Sequence, residues 1–290
     1  MRKTYAALCG ALILGTAGAA WGAPPIPDAY KTGGFAIGCQ AWSFNRFTAF
    51  EAIQKTAETG GKVIEFFPGQ ALSPDREDVK MGPDMPEEAI ALLKEQLKKY
   101  GVKAVAFGVT GIPRDEARAR KYFEFAKKLG IRVLVTESTE SIDTIEKLVK
   151  EYDICVGYHN HPRRPNNPNY KVWNPKYILQ LVKGRDPRIG STSDTGHWMR
   201  SGLDPVECLR LLKGRVISLH LKDLDRMGPN AHDVPYGTGA GKVKEVLDEL
   251  RAQGFQGNIS IEYEYDWDNN VPKIAQCIGF VRGYGAAIGK

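Results

Sequence analysis

Cysteine is scarce in this sequence, and no two cysteines lie close together. Apart from Cys9 near the start, the chain contains Cys39, Cys155, Cys208 and Cys277. The first two of these four fall in predicted strands, and the other two fall in predicted helices. We therefore predict four buried free thiols rather than a disulfide framework.

The sequence also lacks a cluster of basic residues interleaved with aromatic ones. Its formal net charge is +6. Removal of Arg2 and Lys3 with the N-terminal segment leaves 38 basic and 34 acidic side chains, a net charge of +4. This balance gives no argument for a nucleic-acid partner. A phosphate-binding loop is absent too, which disfavours a phosphorylated substrate.

A continuous run of mostly apolar residues occurs near the start of the chain, between Ala6 and Ala20. Basic residues precede the run, and small residues then lead to Pro24. This pattern predicts a secretory signal peptide over residues 1–23, with cleavage after Ala20, Gly22 or Ala23. The run is short for a membrane anchor. We therefore expect an exported protein, periplasmic or secreted, that does not contact a membrane after cleavage.

The rest of the chain alternates between two periodicities. Eight short apolar runs typical of strands cover residues 35–42, 63–67, 102–107, 131–136, 154–158, 188–192, 216–219 and 258–261. An amphipathic helical segment follows each run, and no linker-like composition interrupts the series. This order predicts a single-domain (β/α)8 TIM barrel over residues 24–290. A doubly wound open sheet is disfavoured because no Gly-x-Gly-x-x-Gly follows the first strand.

Polar side chains are concentrated at the ends of the predicted strands. They are Glu65, Glu137, His159, His161, Asp194, His197, His220 and Glu262. With His232, the histidines of this set are all five in the chain, and all lie in its C-terminal half. Active sites of such barrels lie at the C-terminal ends of the strands. We therefore expect an enzyme whose site is built from these residues.

Carboxylate and imidazole side chains on successive strands are typical metal ligands. Buried charges are costly unless they are paired or bound to metal. We predict Asp194, His220 and Glu262 as ligands, with either His159 or Glu137 as the fourth. The absence of sulfur disfavours a structural zinc site. The set suits one divalent ion (Mn, Co, Mg or Zn) with open positions for a substrate.

Further residues near strand ends are candidates for substrate binding. They are His197, His161, Lys222 and Trp42. His197 belongs to this group because Asp194 already supplies the ligand of its strand. Lys222 either binds substrate, orients His220 or forms a salt bridge at the rim. An aromatic face such as that of Trp42 fits the C–H surface of a sugar. Glu264 lies either above Glu262 or on the surface.

Four motifs carry a family resemblance. They are Asp194-Thr195-Gly196-His197, His220-Leu221-Lys222-Asp223, Tyr236-Gly237-Thr238-Gly239-Ala240-Gly241 and Ile261-Glu262. Through them the sequence, from about Phe35 to the end, resembles the xylose isomerase-like barrel superfamily of sugar isomerases and epimerases. The resemblance implies a divalent metal held by Asp194, His220 and Glu262, with His197 on the substrate. It also implies Arg226 as a substrate-binding arginine.

The fifth strand departs from this pattern. Ketose epimerases similar to this chain have a glutamate there, which serves as ligand and acid/base, whereas this sequence has His159. The segment from Tyr158 to His161, with Glu137 before it, looks more like the inosose dehydratase branch. The resemblance therefore does not extend to a proton shuttle between two glutamates.

The leading hypothesis is a metal-dependent isomerase or epimerase that acts on a non-phosphorylated sugar or keto-sugar. Glu262 is the first choice for the base, with His159 or Glu137 as its partner. One alternative is a keto-sugar dehydratase or lyase. Another, from a different class, is a carbohydrate-binding barrel without catalysis. The sequence leaves the oligomeric state open, a homo-oligomer included.

The signal peptide gives the first testable prediction. We expect the mature protein to begin between Trp21 and Pro24, because signal peptidases cleave after small residues. Mass spectrometry of protein recovered from its native cells measures the N-terminus directly. Recovery of a chain that still carries Met1 would contradict export.

Overall fold

A closed ring of eight parallel strands forms the centre of the structure, a computed structural model that describes residues 25–290. The predicted signal peptide lies outside the described residues and stays a prediction. The eight barrel strands are β1 (Ala36–Gln40), β2 (Val63–Phe66), β3 (Lys103–Thr110), β4 (Val133–Thr136), β5 (Cys155–His159), β6 (Ile189–Asp194), β7 (Val216–Leu221) and β10 (Asn258–Ile261). Two short strands outside the barrel are β8 (Asp223–Leu224) and β9 (Asp233–Val234). The barrel order is β1-β10-β7-β6-β5-β4-β3-β2, and β8 and β9 form a separate antiparallel pair.

Helices alternate with the barrel strands, which confirms the predicted (β/α)8 barrel. They are α1 (Ala49–Glu58), α2 (Glu87–Tyr100), α3 (Glu116–Leu129), α4 (Ile142–Tyr152), α5 (Pro175–Leu181), α6 (Thr195–Arg200), α7 (Pro205–Leu211), α8 (Val243–Ala252) and α9 (Val271–Ala287). Short 3-10 turns cover Asp28–Tyr30, Ala41–Phe44 and Thr139–Ser141. Within residues 25–290, no helix combines the length and the apolar character needed to cross a membrane.

The interior of the barrel changes from apolar to polar along the strands. An apolar cluster inside the ring includes Val63 of β2 and Cys155 of β5, while a larger cluster lies between the strands and the helices. Inward-facing residues recur every second position along a strand. The same inward rows therefore reach Glu65 and His159 at the C-terminal end. Cys39, Cys208 and Cys277 are buried free thiols, as predicted, and Cys155 is buried too.

Four strands run further than the sequence pattern predicts, and one of them is β3, which extends to Thr110. The other three, β5, β6 and β7, include His159, Asp194 and His220 respectively. The pairing between these strands continues as far as these residues, with His159 beside Thr192 and Asp194 beside His220. Polar residues can continue a strand here because backbone groups, not apolar side chains, form the ladder. The extension places these side chains inside the barrel rather than in loops.

Helix α6 was not predicted, because six residues are too few to show a period. Asp194 ends β6 and caps α6, and its Oδ1 accepts a hydrogen bond from the His197 backbone N–H at 2.6 Å. This cap fixes the path of the chain between the two residues. It therefore sets where the His197 ring lies relative to the Asp194 carboxylate.

The glycine-rich segment before α8 wraps around a carboxylate of the protein itself. Asp223 accepts hydrogen bonds from the backbone N–H groups of Gly237, Gly239 and Gly241 at 2.8, 3.0 and 2.7 Å. A Cβ at Gly239 would lie 2.2 Å from the Leu224 carbonyl oxygen and 2.5 Å from Asp223 Oδ1. The close approach therefore requires glycine. These three amides are already used and are not free for a phosphate.

Removal of this carboxylate should destabilise the fold. Asp223→Ala leaves three backbone donors without their charged acceptor, and each such loss costs about 1–3 kcal/mol. We expect the free energy of unfolding to fall by about 3 kcal/mol or more, measured by urea unfolding followed by circular dichroism. Asp268→Ala is the control, since that side chain is 75% exposed and pairs only with Arg46. Equal effects of the two substitutions would contradict the role of Asp223.

Candidate metal centre

Four side chains converge at the C-terminal mouth of the barrel. They are His159, Asp194, His220 and Glu262, carried by or directly following β5, β6, β7 and β10, which are consecutive in the ring. All four are buried, and one ligand atom from each lies within 4.8 Å of the others. Neighbouring parallel strands in register thus bring together residues that are far apart in sequence.

The distances within this cluster are longer than those of good hydrogen bonds, and they lie within or slightly above the spacing of ligands around one ion. Asp194 Oδ2 lies 3.8 Å from His159 Nε2 and 3.8 Å from His220 Nδ1. Glu262 Oε2 lies 3.3 Å from His220 Nδ1. Good hydrogen bonds between such atoms are shorter than about 3.2 Å. Nitrogen and oxygen ligands at about 2.0–2.2 Å from one ion stand roughly 3.0–3.6 Å apart.

Several of the same atoms have no hydrogen-bond partner although they are buried. They are both ring nitrogens of His159, Oδ2 of Asp194 and Nδ1 of His220. A buried polar atom without a partner costs about 1–3 kcal/mol. Nε2 of His159, Oδ2 of Asp194 and Nδ1 of His220 lie near one another in the cluster, whereas Nδ1 of His159 faces Glu137. Imidazole nitrogen and carboxylate oxygen are the ligands typical of a divalent-cation site. The residues present therefore fit a divalent ion.

Glu65 of β2 holds the ring of His220 in this orientation. His220 Nε2 lies 2.9 Å from Glu65 Oε1, while the other carboxylate oxygen accepts a hydrogen bond from Ser260 at 2.7 Å. Gln40 donates to Glu65 Oε1 at 3.1 Å. A metal-binding histidine commonly donates its second ring N–H to a carboxylate in this manner. The sequence pattern predicts Glu65 at a strand end but does not indicate that it orients a metal ligand.

Lys222 lies among carboxylates rather than at the rim. Its Nζ is 2.9 Å from Glu262 Oε2 and 3.4 Å from Asp194 Oδ2, and it also bonds Glu264. Burial disfavours its charged form, but these carboxylates outweigh burial and raise the pKa of Lys222 well above its usual value. Glu264 is also paired with Arg200 at 2.9 Å. The negative charge left over therefore lies on Asp194 and Glu262, where a cation can neutralise it.

The geometry separates the two candidates for the fourth ligand. His159 belongs to the cluster, and its Nε2 faces Asp194. Glu137 lies on the far side of this ring, with Oε1 3.7 Å from His159 Nδ1. Hydrogen bonds also reach Glu137 from His161 Nδ1 at 2.6 Å and from the Tyr170 hydroxyl at 2.7 Å. Of the two, His159 is the one whose nitrogen faces the remaining ligands.

His197 is buried beside the cluster. Arg200 donates a hydrogen bond to its Nδ1 at 3.2 Å, and its Nε2 lies 3.7 Å from Asp194 Oδ2. Burial lowers the pKa of His197 well below its usual value, so the ring is neutral. Because Nδ1 accepts, Nε2 carries the proton and can donate to a substrate oxygen.

A cavity of about 320 Å³ opens next to the cluster. Its walls include Gln40, Trp42, Phe67, His161, Glu262 and Glu264. Trp42 is 41% exposed and meets the Phe67 ring edge-to-face, with ring centroids 5.0 Å apart. The cavity therefore brings together two predicted substrate-binding residues, Trp42 and His161, and one predicted metal ligand, Glu262. The volume is at the lower end of those usual for small-molecule sites.

Arg226 is not brought to this cavity. Its side chain is 61% exposed, pairs with Asp225 at 2.6 Å and donates to the Asn230 carbonyl at 3.0 Å. These contacts lie within the turn that joins β8 to β9, a hairpin that was not predicted. The role that the resemblance implies for Arg226 therefore stays a prediction, and its partners in the structure belong to the hairpin rather than to the cluster.

Residues 53–283 match the family model of the xylose isomerase-like TIM barrel. The chain belongs to the xylose isomerase-like TIM barrel family. The proteins similar to this chain include some that are named as epimerases and others that are named as dehydratases. The family thus places the chain among sugar isomerase, epimerase and dehydratase folds without choosing between these reactions.

Individual relatives cover the chain to different extents. An inosose dehydratase of Mesomycoplasma hyopneumoniae is 26% identical over an alignment of 178 residues, and the match covers 50% of this chain and 57% of that protein. The crystal structure of an uncharacterized protein from Parabacteroides distasonis is 34% identical, with TM-score 0.69 over 86% of this chain and 98% of that one. A D-allulose 3-epimerase from Methylomonas, in complex with D-allulose, is 16% identical, with TM-score 0.65 over 86% and 96%. The chain spans about half the length of the curated relatives it matches.

The cluster predicts metal content directly. Purified protein loaded with Mn²⁺ or Zn²⁺ and then dialysed should retain about one ion per chain by elemental analysis. Asp194→Ala and His220→Ala should lose it, because each removes a ligand atom from a four-ligand site. Chelator should abolish whatever activity the loaded protein has.

Two further variants make this test specific. Glu65→Gln keeps all four ligands but weakens the hold on His220, so metal affinity should fall by about 10–100-fold. His232→Ala removes a histidine outside the cluster and should keep full occupancy. Full occupancy in both Asp194→Ala and His220→Ala would show the ligand assignment to be wrong.

Proposed function

We propose that the protein is a divalent-metal-dependent isomerase or epimerase that acts on a non-phosphorylated sugar or keto-sugar. The observation that carries this proposal is the buried cluster of His159, Asp194, His220 and Glu262 beside a cavity, in which three neighbouring ligand atoms have no hydrogen-bond partner among the described residues. Such a site at the C-terminal mouth of a barrel is where catalysis is expected.

The residues of the site have separate tasks in this reaction. A divalent ion held by the cluster would supply positive charge that polarises a substrate carbonyl and stabilises the enediolate formed from it. Glu262 lines the cavity and, paired with Lys222, is held as a carboxylate that can accept a proton. His197 donates to a substrate oxygen through Nε2. Trp42 offers its exposed face to the C–H surface of the sugar.

Two observations support a substrate without phosphate. The amides of the glycine-rich segment, which would be natural phosphate ligands, already bind Asp223. In addition, the basic residues nearest to the cluster, Lys222 and Arg200, are both paired with carboxylates. The expected export of the protein agrees with an uncharged sugar, because phosphorylated sugars are intracellular metabolites.

Dehydration of a keto-sugar is the second candidate reaction. It is favoured by the similarity to an inosose dehydratase and by the histidine, rather than glutamate, that ends β5. Both reactions begin with removal of a proton next to a carbonyl, and they differ in the second step. Return of a proton to carbon gives an isomer or epimer, whereas loss of a β-hydroxyl gives water and an unsaturated product.

Exchange of substrate hydrogen with solvent tests the role of Glu262. D-Allulose, D-tagatose, D-fructose and an inosose are incubated with the metal-loaded protein in D₂O and followed by NMR. Glu262→Gln keeps the size of the side chain but removes the base, so exchange should fall by a factor of about 100 or more. The variant should still bind some metal through its amide oxygen.

The control and the contrary outcomes separate the hypotheses. Glu245→Gln, on the exposed face of α8, should exchange at the wild-type rate. Near wild-type exchange in Glu262→Gln would place the base elsewhere. Deuterium uptake without loss of water supports isomerisation, and a dehydrated product supports the lyase. Carbohydrate binding by the wild type without exchange or water loss would favour a barrel that only binds.

A further inference from the structure

His161 is held by a carboxylate that the metal cluster does not use. Its Nδ1 lies 2.6 Å from Glu137 Oε1. The Tyr170 hydroxyl donates to the same oxygen at 2.7 Å and accepts a hydrogen bond from the His161 backbone N–H at 3.0 Å. Glu137 follows β4, His161 follows β5, and Tyr170 belongs to the loop before α5. The three residues thus form one closed hydrogen-bonded group.

This arrangement fixes which ring nitrogen of His161 carries the proton. A carboxylate only accepts, so Nδ1 must donate to Glu137, and Nε2 is left without a proton. The side chain is 40% exposed and forms part of the cavity wall. An imidazole oriented by a carboxylate, with its second nitrogen free toward a substrate, is the arrangement of a general acid or base.

The group is better suited to this role than to binding a second ion. Glu137, His159 and His161 also have ligand atoms within 4.8 Å of one another. However, two ligand atoms on one ion stand roughly 3 Å or more apart. The 2.6 Å between His161 and Glu137 is the length of a charge-assisted hydrogen bond. His161 therefore already uses the nitrogen that an ion there would need.

The cavity lies between His161 and Glu262, which both contribute to its wall. The other two candidates for a partner of Glu262 are placed differently, since His159 is fully buried in the cluster and Glu137 stands behind two histidines. We propose that His161 is the second acid/base group of the site, with Glu137 and Tyr170 as positioning residues. This inference rests on the proposed function.

The proton transfers balance between the two groups. One of them removes the proton from the carbon next to the carbonyl, and the C–H bonding pair becomes part of the enediolate. The other, in its protonated form, returns a proton to that carbon, to its neighbour or to a departing hydroxyl, which leaves as water. Exchange with solvent restores both groups. When His161 is protonated, the Glu137 carboxylate stabilises the imidazolium.

The first arm of the test reads the geometry without any activity. Long-range ¹H–¹⁵N NMR of the Zn²⁺-loaded protein resolves the tautomers of its five histidines, with His161→Ala and His232→Ala used for assignment. His161 should be protonated at Nδ1 only. Glu137→Ala should remove this preference, and Tyr170→Phe should weaken it. A His161 protonated at Nε2 in the wild type would overturn the proposal.

The second arm measures the role in the deuterium-exchange assay. His161→Ala should keep its metal and lose exchange by about 100-fold or more, with part of the loss restored by added imidazole. Glu137→Ala should lose about 10-fold or more in kcat. His232→Ala is the matched control, because its side chain is also 40% exposed and lies 3.4 Å from a carboxylate, that of Asp225. It should behave as wild type.

The contrary outcomes are distinct. A change in KM alone in His161→Ala would reduce His161 to a substrate contact. Two ions per wild-type chain, with one lost in His161→Ala, would replace the proposal by a second metal site. Absence of exchange and of water loss by the wild type on every probe would contradict the proposed function and with it any catalytic role. The NMR arm would still decide whether Glu137 orients His161.

Discussion

Burial of carboxylates at the mouth of the barrel is the constraint on which the rest of the site depends. Glu65, Asp194 and Glu262 lose most of their contact with water there, and an ionised carboxylate in such a place must be compensated. For Glu65, the compensation comes from His220, Ser260 and Gln40. For Asp194 and Glu262, Lys222 supplies a single ammonium. The imbalance between two carboxylates and one ammonium is what makes a cation favourable at this point.

The same charges connect the site to the elements around it. Lys222 bonds Glu264, Glu264 bonds Arg200, and Arg200 bonds Asp233 at 2.9 Å. Asp233 begins β9, so this chain of ion pairs joins β7, the segment after β10, α6 and the hairpin. Burial raises the pKa of Asp233 to about 7, against the opposing effect of Lys222 and Arg200. The hairpin is therefore connected to the ligand cluster by a chain of ion pairs, in addition to the apolar contacts among Met199, Leu224 and Ala231.

The barrel could be predicted from the sequence because its signals are local. Apolar runs, the N-caps Thr48 and Asn174, and the glycines Gly101 and Gly130 that end α2 and α3 each act within a few residues. The convergence of polar strand ends then results from the topology of a barrel. Helix α6 and the β8–β9 hairpin were missed, because no period can be read from so few residues.

The partners inside the site could not be predicted in this way. Glu65 and His220 are 155 residues apart and belong to strands that are not neighbours in the ring. Their hydrogen bond crosses the barrel interior, where strand order gives no pairing. Arg226, in contrast, was expected to bind substrate, but its side chain contacts Asp225 and Asn230 in the hairpin. Sequence patterns place a residue on a strand end, but side-chain length and competing partners decide what it contacts.

The position of His161 bears on how one scaffold can serve two reactions. Glu262 belongs to the cluster, where Lys222 and His220 contact its carboxylate, and it also lines the cavity. His161 also forms part of the cavity wall, with its Nδ1 held by Glu137. If a carbon of the enediolate lies next to His161 Nε2, a returned proton gives an isomer. If a β-hydroxyl lies there, the same proton converts it to water. Substrate placement, rather than a different set of residues, then selects the reaction.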